Sequence, residues 1–367
     1  MMKNGSLGEI TWNKFKRNPL GIIPMFFIVI VAVLSILAYT FIPDKVEHAN
    51  RVRLPLALHP PGAEVKVIEI PLSAYQENQN WEWLQGAKPR FRQIPVHDYK
   101  ILDEETLELR PYTGLDGEPG LPLRFSKEDL GLRNNEGFED RVKHLKFYLG
   151  TDKLGRDYFS RLLLGARISL SVGFIAVFIS ILVGVILGSV AGYFGGKIDQ
   201  GVMWFINVFW SVPTLLWVIA ITLALGKGTF QVYLAVGLSM WVDIARMVRG
   251  QIMQVRGLEF ARAGQTLGFN DSRILFKHIL PNSLSPVIVI AASNFATAIL
   301  LEAGLSFLGI GAQPPIPSWG NMIKDHYAYI IMDKAYLAIL PGLAIMVFVL
   351  AFMLIGNALR DALDVKL

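Results

Sequence analysis

Few residues in this sequence have the type and spacing to do chemistry. Glu302 is a carboxylate inside an otherwise apolar block over 283–304. Asn294, Ala298 and Glu302 are spaced i, i+4, i+8, so on a helix they line one face. Ser293 and Thr297 add hydroxyls to the same block. An ionised carboxylate at the centre of a bilayer costs roughly 2.5–3.5 kcal/mol on insertion scales, so it faces protein or a water-filled cavity rather than lipid. The position of Glu302 near the outer end of the block lowers that cost. Ser293, Asn294, Thr297 and Glu302 are candidates to line a transmembrane pathway; for Glu302 a structural hydrogen bond to a neighbouring backbone is equally open.

Catalytic chemistry finds no foothold. A phosphate-cradling loop needs G-x-x-x-x-G-K-[ST], so that backbone amides and a lysine reach the phosphates. The nearest fragment, Gly226-Lys227-Gly228-Thr229, lacks that spacing. Neither Gly-x-Ser-x-Gly nor His-Glu-x-x-His occurs, and the 6 histidines are scattered. Cysteine is absent, which removes disulfides and Cys-based metal sites. The sequence therefore predicts no enzyme and no catalytic, cofactor-binding or metal site.

The segment Leu258–Pro281, LEFARAGQTLGFNDSRILFKHILP, is the most informative. Phe260, Ala263, Leu267 and, loosely, Gly264 share a helical face, with Arg262 and Gln265 elsewhere. Gly268 stands where a glycine ends a helix. A short amphipathic helix of this kind either binds a partner groove, lies on a membrane, or is an ordinary loop helix.

The elements that must position these residues are membrane spans. In 367 residues, 53% are hydrophobic and only 18% charged, against about 25% in ordinary soluble domains; mean hydropathy is +0.42. The apolar residues fall in blocks of about 20, the length that crosses a hydrocarbon core. Blocks lie at 22–42 and near 168–192, 202–225, 229–246, 283–304 and 336–357, which predicts six spans. The first is too long for a signal-peptide core and no small-residue cleavage site follows it. The net charge of +5 reflects loop placement and carries no nucleic-acid signal.

Within the spans, Gly184, Gly188 and Gly192 recur every fourth residue, a smooth stripe for close helix packing. Pro213 removes a backbone donor, so a kink is expected there. Residues 43–147 differ: Pro, Gly and charge are frequent and no block is long enough to span. Ala63–Ile70 roughly alternates apolar and charged residues, as a half-buried strand does, and Arg90–Arg110 alternates less cleanly. Gly114–Gly117 reads as a turn. A small β-containing insertion follows, with Trp81 and Trp83 assigned to its core in preference to the membrane surface.

Orientation follows from basic residues in short flanks. Arg246, Arg249, Arg256, Arg262, Arg273 and Lys277 crowd the segment between the fourth and fifth spans, and the N-terminal tail is also basic. Both termini and this segment are expected in the cytoplasm, with the insertion outside.

Arg262-Ala263-Gly264, Gly268 and Leu280-Pro281 keep the spacing E-A-A, three residues, G, nine residues, I, one residue, L-P. In this the chain resembles the EAA motif of binding-protein-dependent ABC importer permeases. It departs at Arg262 for Glu, Gly264 for the second Ala and His278 for Ile, and those departures look like the dipeptide/oligopeptide permease subfamily. Leu149–Asp157 (LGTDKLGRD) with Ser160–Leu162 and Gly165–Leu170, Phe307–Gly311 with Pro314–Met322, and Leu359–Asp364 look like further segments of that subfamily. The resemblance covers about 20–42 and 148–367, and is greatest to the C-type subunit. The 43–147 insertion is longer than that family leads one to expect.

The resemblance implies an all-α polytopic membrane protein of the type I ABC importer class, with six transmembrane helices and an extracytoplasmic β-containing insertion. The implied organisation is a cytoplasmic tail (1–21), a first span (22–42), the insertion (43–147), a permease core (148–357) with an EAA coupling loop (247–282), and a cytoplasmic tail (358–367). It implies a prokaryotic inner-membrane location and import, of short peptides foremost, by alternating access. Leu258, Phe260, Arg262, Ala263, Gly264, Leu267, Gly268, Leu280 and Pro281 would couple it to two ATPase subunits, which bind the ATP. A homologous permease, an extracytoplasmic binding protein and membrane lipid complete the implied partners. A nickel chelate, haem or similar solute is the alternative cargo. A channel or secondary transporter would need charged relays in several spans, and only Glu302 offers one. A membrane-anchored receptor would leave five spans unexplained.

Overall fold

The computed structural model describes residues 7–72, 81–114, 118–133 and 136–363. Part of the turn expected at Gly114–Gly117 lies outside them, as does Asp364 of the C-terminal motif.

The chain opens with α1 (Leu7–Lys16) and α2 (Pro19–Ile36), followed by the single turn α3 (Ala38–Phe41). Asn18 starts α2: its Oδ1 accepts from the Leu20 N–H at 3.0 Å. Pro19 follows at the first helical position, where a missing N–H costs nothing. The polar tail expected over 1–21 is therefore partly helical. Phe15 holds it, buried against Ala358 and Ala362 near the other end of the chain.

The insertion is a five-stranded antiparallel sheet. Its elements are β1 (Ala63–Pro71), α4 (Glu82–Gln85), β2 (Phe91–Ile101), β3 (Thr106–Pro111), β4 (Leu123–Ser126) and β5 (Val142–Phe147), in the order β4-β3-β2-β1-β5. The alternation at Ala63–Ile70 became β1, and that of Arg90–Arg110 became β2 and β3. Ile68, Val96, Leu107, Leu109, Leu130 and Phe138 form the sheet's core. Trp81 and Trp83 do not belong to it. They are 55% and 47% exposed, at the start of α4, and neither is among the residues of the sheet's core, so their assignment to the core is corrected.

The helical part begins with α5 (Tyr158–Phe194), started by Asp157, whose side chain accepts from the Ser160 N–H at 2.8 Å. Then come α6 (Gly196–Trp210), α7 (Thr214–Leu225), α8 (Thr229–Ser239), α9 (Trp241–Arg256), α10 (Glu259–Thr266), α11 (Asp271–Arg273), a π-helical stretch Ile274–Ile279, α12 (Leu280–Ser283), α13 (Ser285–Phe307), α14 (Trp319–His326) and α15 (Tyr336–Leu363).

Among the described residues four helices are long and apolar enough to cross a membrane: α2, α5, α13 and α15. The pair α6–α7 makes a fifth if it counts as one broken span, bent by 90°. Six unbroken spans are therefore not seen. The expected span 202–225 breaks at Pro213, a stronger effect than a kink. The break is stabilised locally: Trp217 donates its indole N–H to the Phe209 carbonyl at 2.9 Å, and the two rings stack at 4.2 Å. The expected span 229–246 divides at Met240. Its second part continues as α9, which carries Asp243, Arg246, Arg249 and Arg256 and is amphipathic rather than apolar. At the C-terminus, α15 runs beyond 357 to Leu363, so most of the expected tail is helix.

The glycine stripe performs as its spacing predicts. A Cβ on Gly184 would lie 2.8 Å from the Trp241 carbonyl oxygen, on Gly188 2.4 Å from that of Ala245, and on Gly192 2.7 Å from that of Arg249. Both sets recur every fourth residue, so the backbones of α5 and α9 meet along a ridge that no larger side chain permits. Phe295 of α13 lies stacked on Phe352 of α15 at 3.9 Å and meets Phe174 of α5 edge-on at 4.6 Å. These contacts join the three longest helices.

Candidate functional site

The loop that follows α9 turns through Gly257, and Leu258 is extended just before α10. Eight residues later the helix stops in a Schellman motif. The Phe269 N–H donates to the Gly264 carbonyl at 3.1 Å and the Gly268 N–H to the Gln265 carbonyl at 3.0 Å. Gly268 has φ +74, the left-handed conformation that such a stop requires. Asn270 then caps the next helical run, accepting from the Arg273 N–H at 2.9 Å. The run widens to a π-helix over Ile274–Ile279 just ahead of Pro281, which has no N–H to give to the preceding turn.

The two faces of α10 are used differently. Ala261 and Gly264 are buried in one apolar cluster with Ile274, Leu275 and Ile279. The other face keeps Ala263 exposed and leaves Leu258, Phe260 and Leu267 respectively 50%, 45% and 71% exposed. Gly264, loosely grouped with Phe260 and Ala263 from the sequence, belongs to the inner face. A Cβ there would touch Ile274 and Phe269 at 3.5 and 3.6 Å, ordinary contact distances. Arg262 and Pro281 are exposed and Leu280 is half-buried. Tyr193, near the end of α5, donates its hydroxyl to Asp271 Oδ1 at 2.6 Å, and Arg256 lies over the Tyr193 ring at 5.5 Å. The loop is thereby fastened to α5, the longest helix among the described residues, while its apolar outer face is left exposed among them.

The four polar residues of α13 are not brought together. Glu302 is fully buried: Ser306 donates to its Oε1 at 2.7 Å and Ser169 of α5 to its Oε2 at 3.2 Å. The Ser306 hydroxyl also accepts from the Ala312 N–H at 3.2 Å and lies 3.2 Å from Ser318 Oγ. Glu302 thus anchors the loop 308–318 to the end of α13. Asn294 and Ala298 lie on the same buried face. Ser293 and Thr297 are exposed instead, their hydroxyls directed to the carbonyls of Val289 and Ser293 in their own helix.

Sequence reasoning missed a second polar centre, at the base of the insertion. The segment Leu149–Asp157 wraps around Asp152, which is fully buried. Asp152 Oδ1 accepts from the backbone N–H groups of Leu154 and Arg156 at 2.9 and 3.0 Å, and Arg156 Nε reaches Oδ2 at 2.6 Å. Arg161 approaches the same oxygen at 3.7 Å. From the insertion, Asn50 accepts from Arg156 at 2.9 Å, and Thr151 receives the His59 N–H at 2.8 Å. A Cβ on Gly155 would fall 1.8 Å from the Arg53 carbonyl oxygen. Arg53 is itself buried, which lowers it to about 10, and it is held by Gln93 Oε1 at 2.7 Å. Two Asp and two Arg within ten residues, directly before an apolar run, were the signal available.

These features describe a polytopic membrane protein with one short internal helix whose apolar outer face is exposed. Residues 184–367 match the sequence model of the binding-protein-dependent transport system inner membrane components, half of the chain. The chain belongs to that family and is an inner-membrane transport permease of the ABC type, a class of subunit that is not an enzyme. It is 42% identical over 220 residues to a dipeptide transport system permease protein of Alkalihalophilus pseudofirmus, which covers 60% of this chain and 72% of that one. An oligopeptide transport system permease protein of Bacillus subtilis is 41% identical over 243 residues, 66% of this chain and 79% of that one. A glutathione transport system permease protein of Pectobacterium atrosepticum is 42% identical over 220 residues, 60% of this chain and 73% of that one.

Proposed function

We propose that this chain forms half of the transmembrane pathway of an importer for short peptides. It pairs with a homologous permease, is driven by two ATPase subunits, and receives substrate from an extracytoplasmic binding protein. The peptide class is supported by relatives named for dipeptide, oligopeptide and glutathione transport. In the type I arrangement the six segments are α2, α5, α6–α7, α8–α9, α13 and α15. Both termini and the 247–282 loop lie in the cytoplasm and the sheet lies outside, as the basic residues of α9 and the loop favour.

The observation that carries the reading is the unpartnered apolar face of α10, backed by buried Ala261 and Gly264. Leu258, Phe260, Ala263 and Leu267 seat in a groove of the ATPase, with Arg262 at the edge. Gly268 fixes where the helix ends, and Leu280 and Pro281 shape the return to α13. Closure of the ATPases is a rigid-body movement, and a short helix fastened to α5 passes it on where a loose loop would absorb it. Ser293 and Thr297 line the pathway or the permease pair, whereas Glu302 holds the fold.

The test is site-directed crosslinking of the membrane complex. A cysteine introduced by Leu267→Cys should crosslink to a co-purifying ATPase chain. Crosslinking to no soluble subunit, with uptake intact, would refute the assignment. Sidedness is read from Glu128→Cys and Ser272→Cys with an impermeant reagent in intact cells: the first should label and the second should not.

A further inference from the structure

We propose that Trp81 and Trp83 seat the sheet insertion on the lipid surface, at the boundary between headgroups and hydrocarbon beside the end of α2.

The argument starts from α2. Its 18 residues span roughly 27 Å at 1.5 Å per residue, close to the thickness of a hydrocarbon core. Ile23, Phe26, Val29, Ile30 and Val33 are exposed along it, a face that needs lipid or another apolar surface. The last turn of α2 therefore marks a membrane boundary.

Arg167 of α5 fixes α4 at that level. Its Nε donates to the Ser35 carbonyl at 2.9 Å, Nη2 to that of Ile36 at 2.8 Å, and Nη1 to that of Leu84 at 2.5 Å. One guanidinium thus holds the closing carbonyls of the span and the backbone of α4 together. Its planar fork has donors for all three, which a lysine would not provide in this geometry. Tyr39 supports the same junction: a Cβ on Gly86, just after α4, would lie 2.7 Å from its ring. The placement of α4 at the end of α2 is built in at two points.

On this fixed turn the two tryptophans lie with ring centroids 6.2 Å apart, both about half exposed. Neither fills the core of the sheet. Indoles favour the membrane–water boundary because the ring is apolar and the N–H seeks a polar partner. The far end of α2 is matched. There α1 carries exposed Trp12, with the Lys16 ammonium 5.0 Å from its ring centroid. The span is bracketed by tryptophans, and Arg167 ties α4 to the end of α2. A lipid surface fits this chemistry and this level. A protein partner on the same face is the alternative that the experiment distinguishes.

The chain has no cysteine, so one introduced cysteine gives a label unique within it. The intact chain, purified from membranes, is reconstituted in nanodiscs of phosphatidylcholine and phosphatidylglycerol. A nitroxide is placed at Glu82→Cys, between the tryptophans, and its collision rates with oxygen and with a water-soluble nickel chelate are compared. Val29→Cys, exposed near the middle of α2, serves as the hydrocarbon reference and Glu128→Cys as the aqueous one. The oxygen-to-nickel ratio at Glu82→Cys should fall between the two references. It should drop to the Glu128→Cys value when Trp81→Ser and Trp83→Ser are added, and be retained with Trp81→Tyr and Trp83→Tyr. The proposal is overturned by an aqueous ratio in the first variant, by shielding from both reagents as in a protein contact, or by a ratio indifferent to the tryptophans.

Discussion

The two ends of α5 are built on opposite principles. At its start, Asp152, Arg156 and Arg161 are buried and bind one another and the insertion. At its other end, Tyr193 holds a loop whose apolar side chains point outward. The first end buries charge to fix a geometry: ion pairs taken out of water gain little net stability, but removing one partner strands the other. The second end leaves apolar area exposed, which within the chain is a loss and becomes favourable only when another surface covers it. About 55 Å of continuous helix separates them, from 37 residues at 1.5 Å each. The proposed coupling needs both: a surface that is pushed and a frame that does not yield.

The sharpest way to break this contrast is at the fixed end. Asp152→Ala leaves two buried guanidiniums without their carboxylate and should cost about 3–5 kcal/mol. The chain should melt earlier in detergent and accumulate less in membranes. Unchanged melting would mean that the base of the insertion is not held by this network.

A smaller effect is expected from Gly268→Val, which places a β-branched residue at φ +74. The left-handed conformation costs a side chain about 1–2 kcal/mol. Amide exchange over 259–269 should quicken, and substrate-stimulated ATPase activity of the complex should fall while membrane insertion persists. Wild-type exchange and wild-type uptake together would remove the Schellman stop from the coupling argument.

The smallest change in stability should come from Leu267→Asp. This side chain touches solvent, and such substitutions shift stability by about 0.5 kcal/mol or less. Its effect belongs to the complex: the chain should fold and melt normally, yet co-purify with less ATPase and lose uptake. If instead it melts as early as Asp152→Ala, the outer face is part of the fold and the contrast collapses.

Local pattern made much of this legible before the fold was known. Apolar blocks of about 20 residues matched four long apolar helices among the described residues, whereas the blocks at 202–225 and 229–246 broke at Pro213 and Met240. The i, i+4, i+8 glycines announced a close helix pair, and Gly268 announced a helix stop. All of these are properties of one element and its nearest sequence neighbours.

Partnership between distant segments was decided only by the tertiary structure. The sequence turned Glu302 toward protein or a water-filled cavity but left its role open, because Ser169 is 133 residues away and nothing local points to it. Ser293 and Thr297 share a block with Glu302, yet they face outward, because a helix rotates by about 100° per residue and packing chooses which side is covered. Trp81 and Trp83 were expected in the core of the insertion ahead of the membrane surface, yet both are about half exposed. The turn that carries them is held at the end of α2 by Arg167, a contact between residues more than 80 apart in sequence. Sequence alone fixes the period and the local stops of each element, since these depend on neighbouring side chains and backbone sterics. Which face meets which requires the competition among all faces for burial, and that is resolved only in the folded chain.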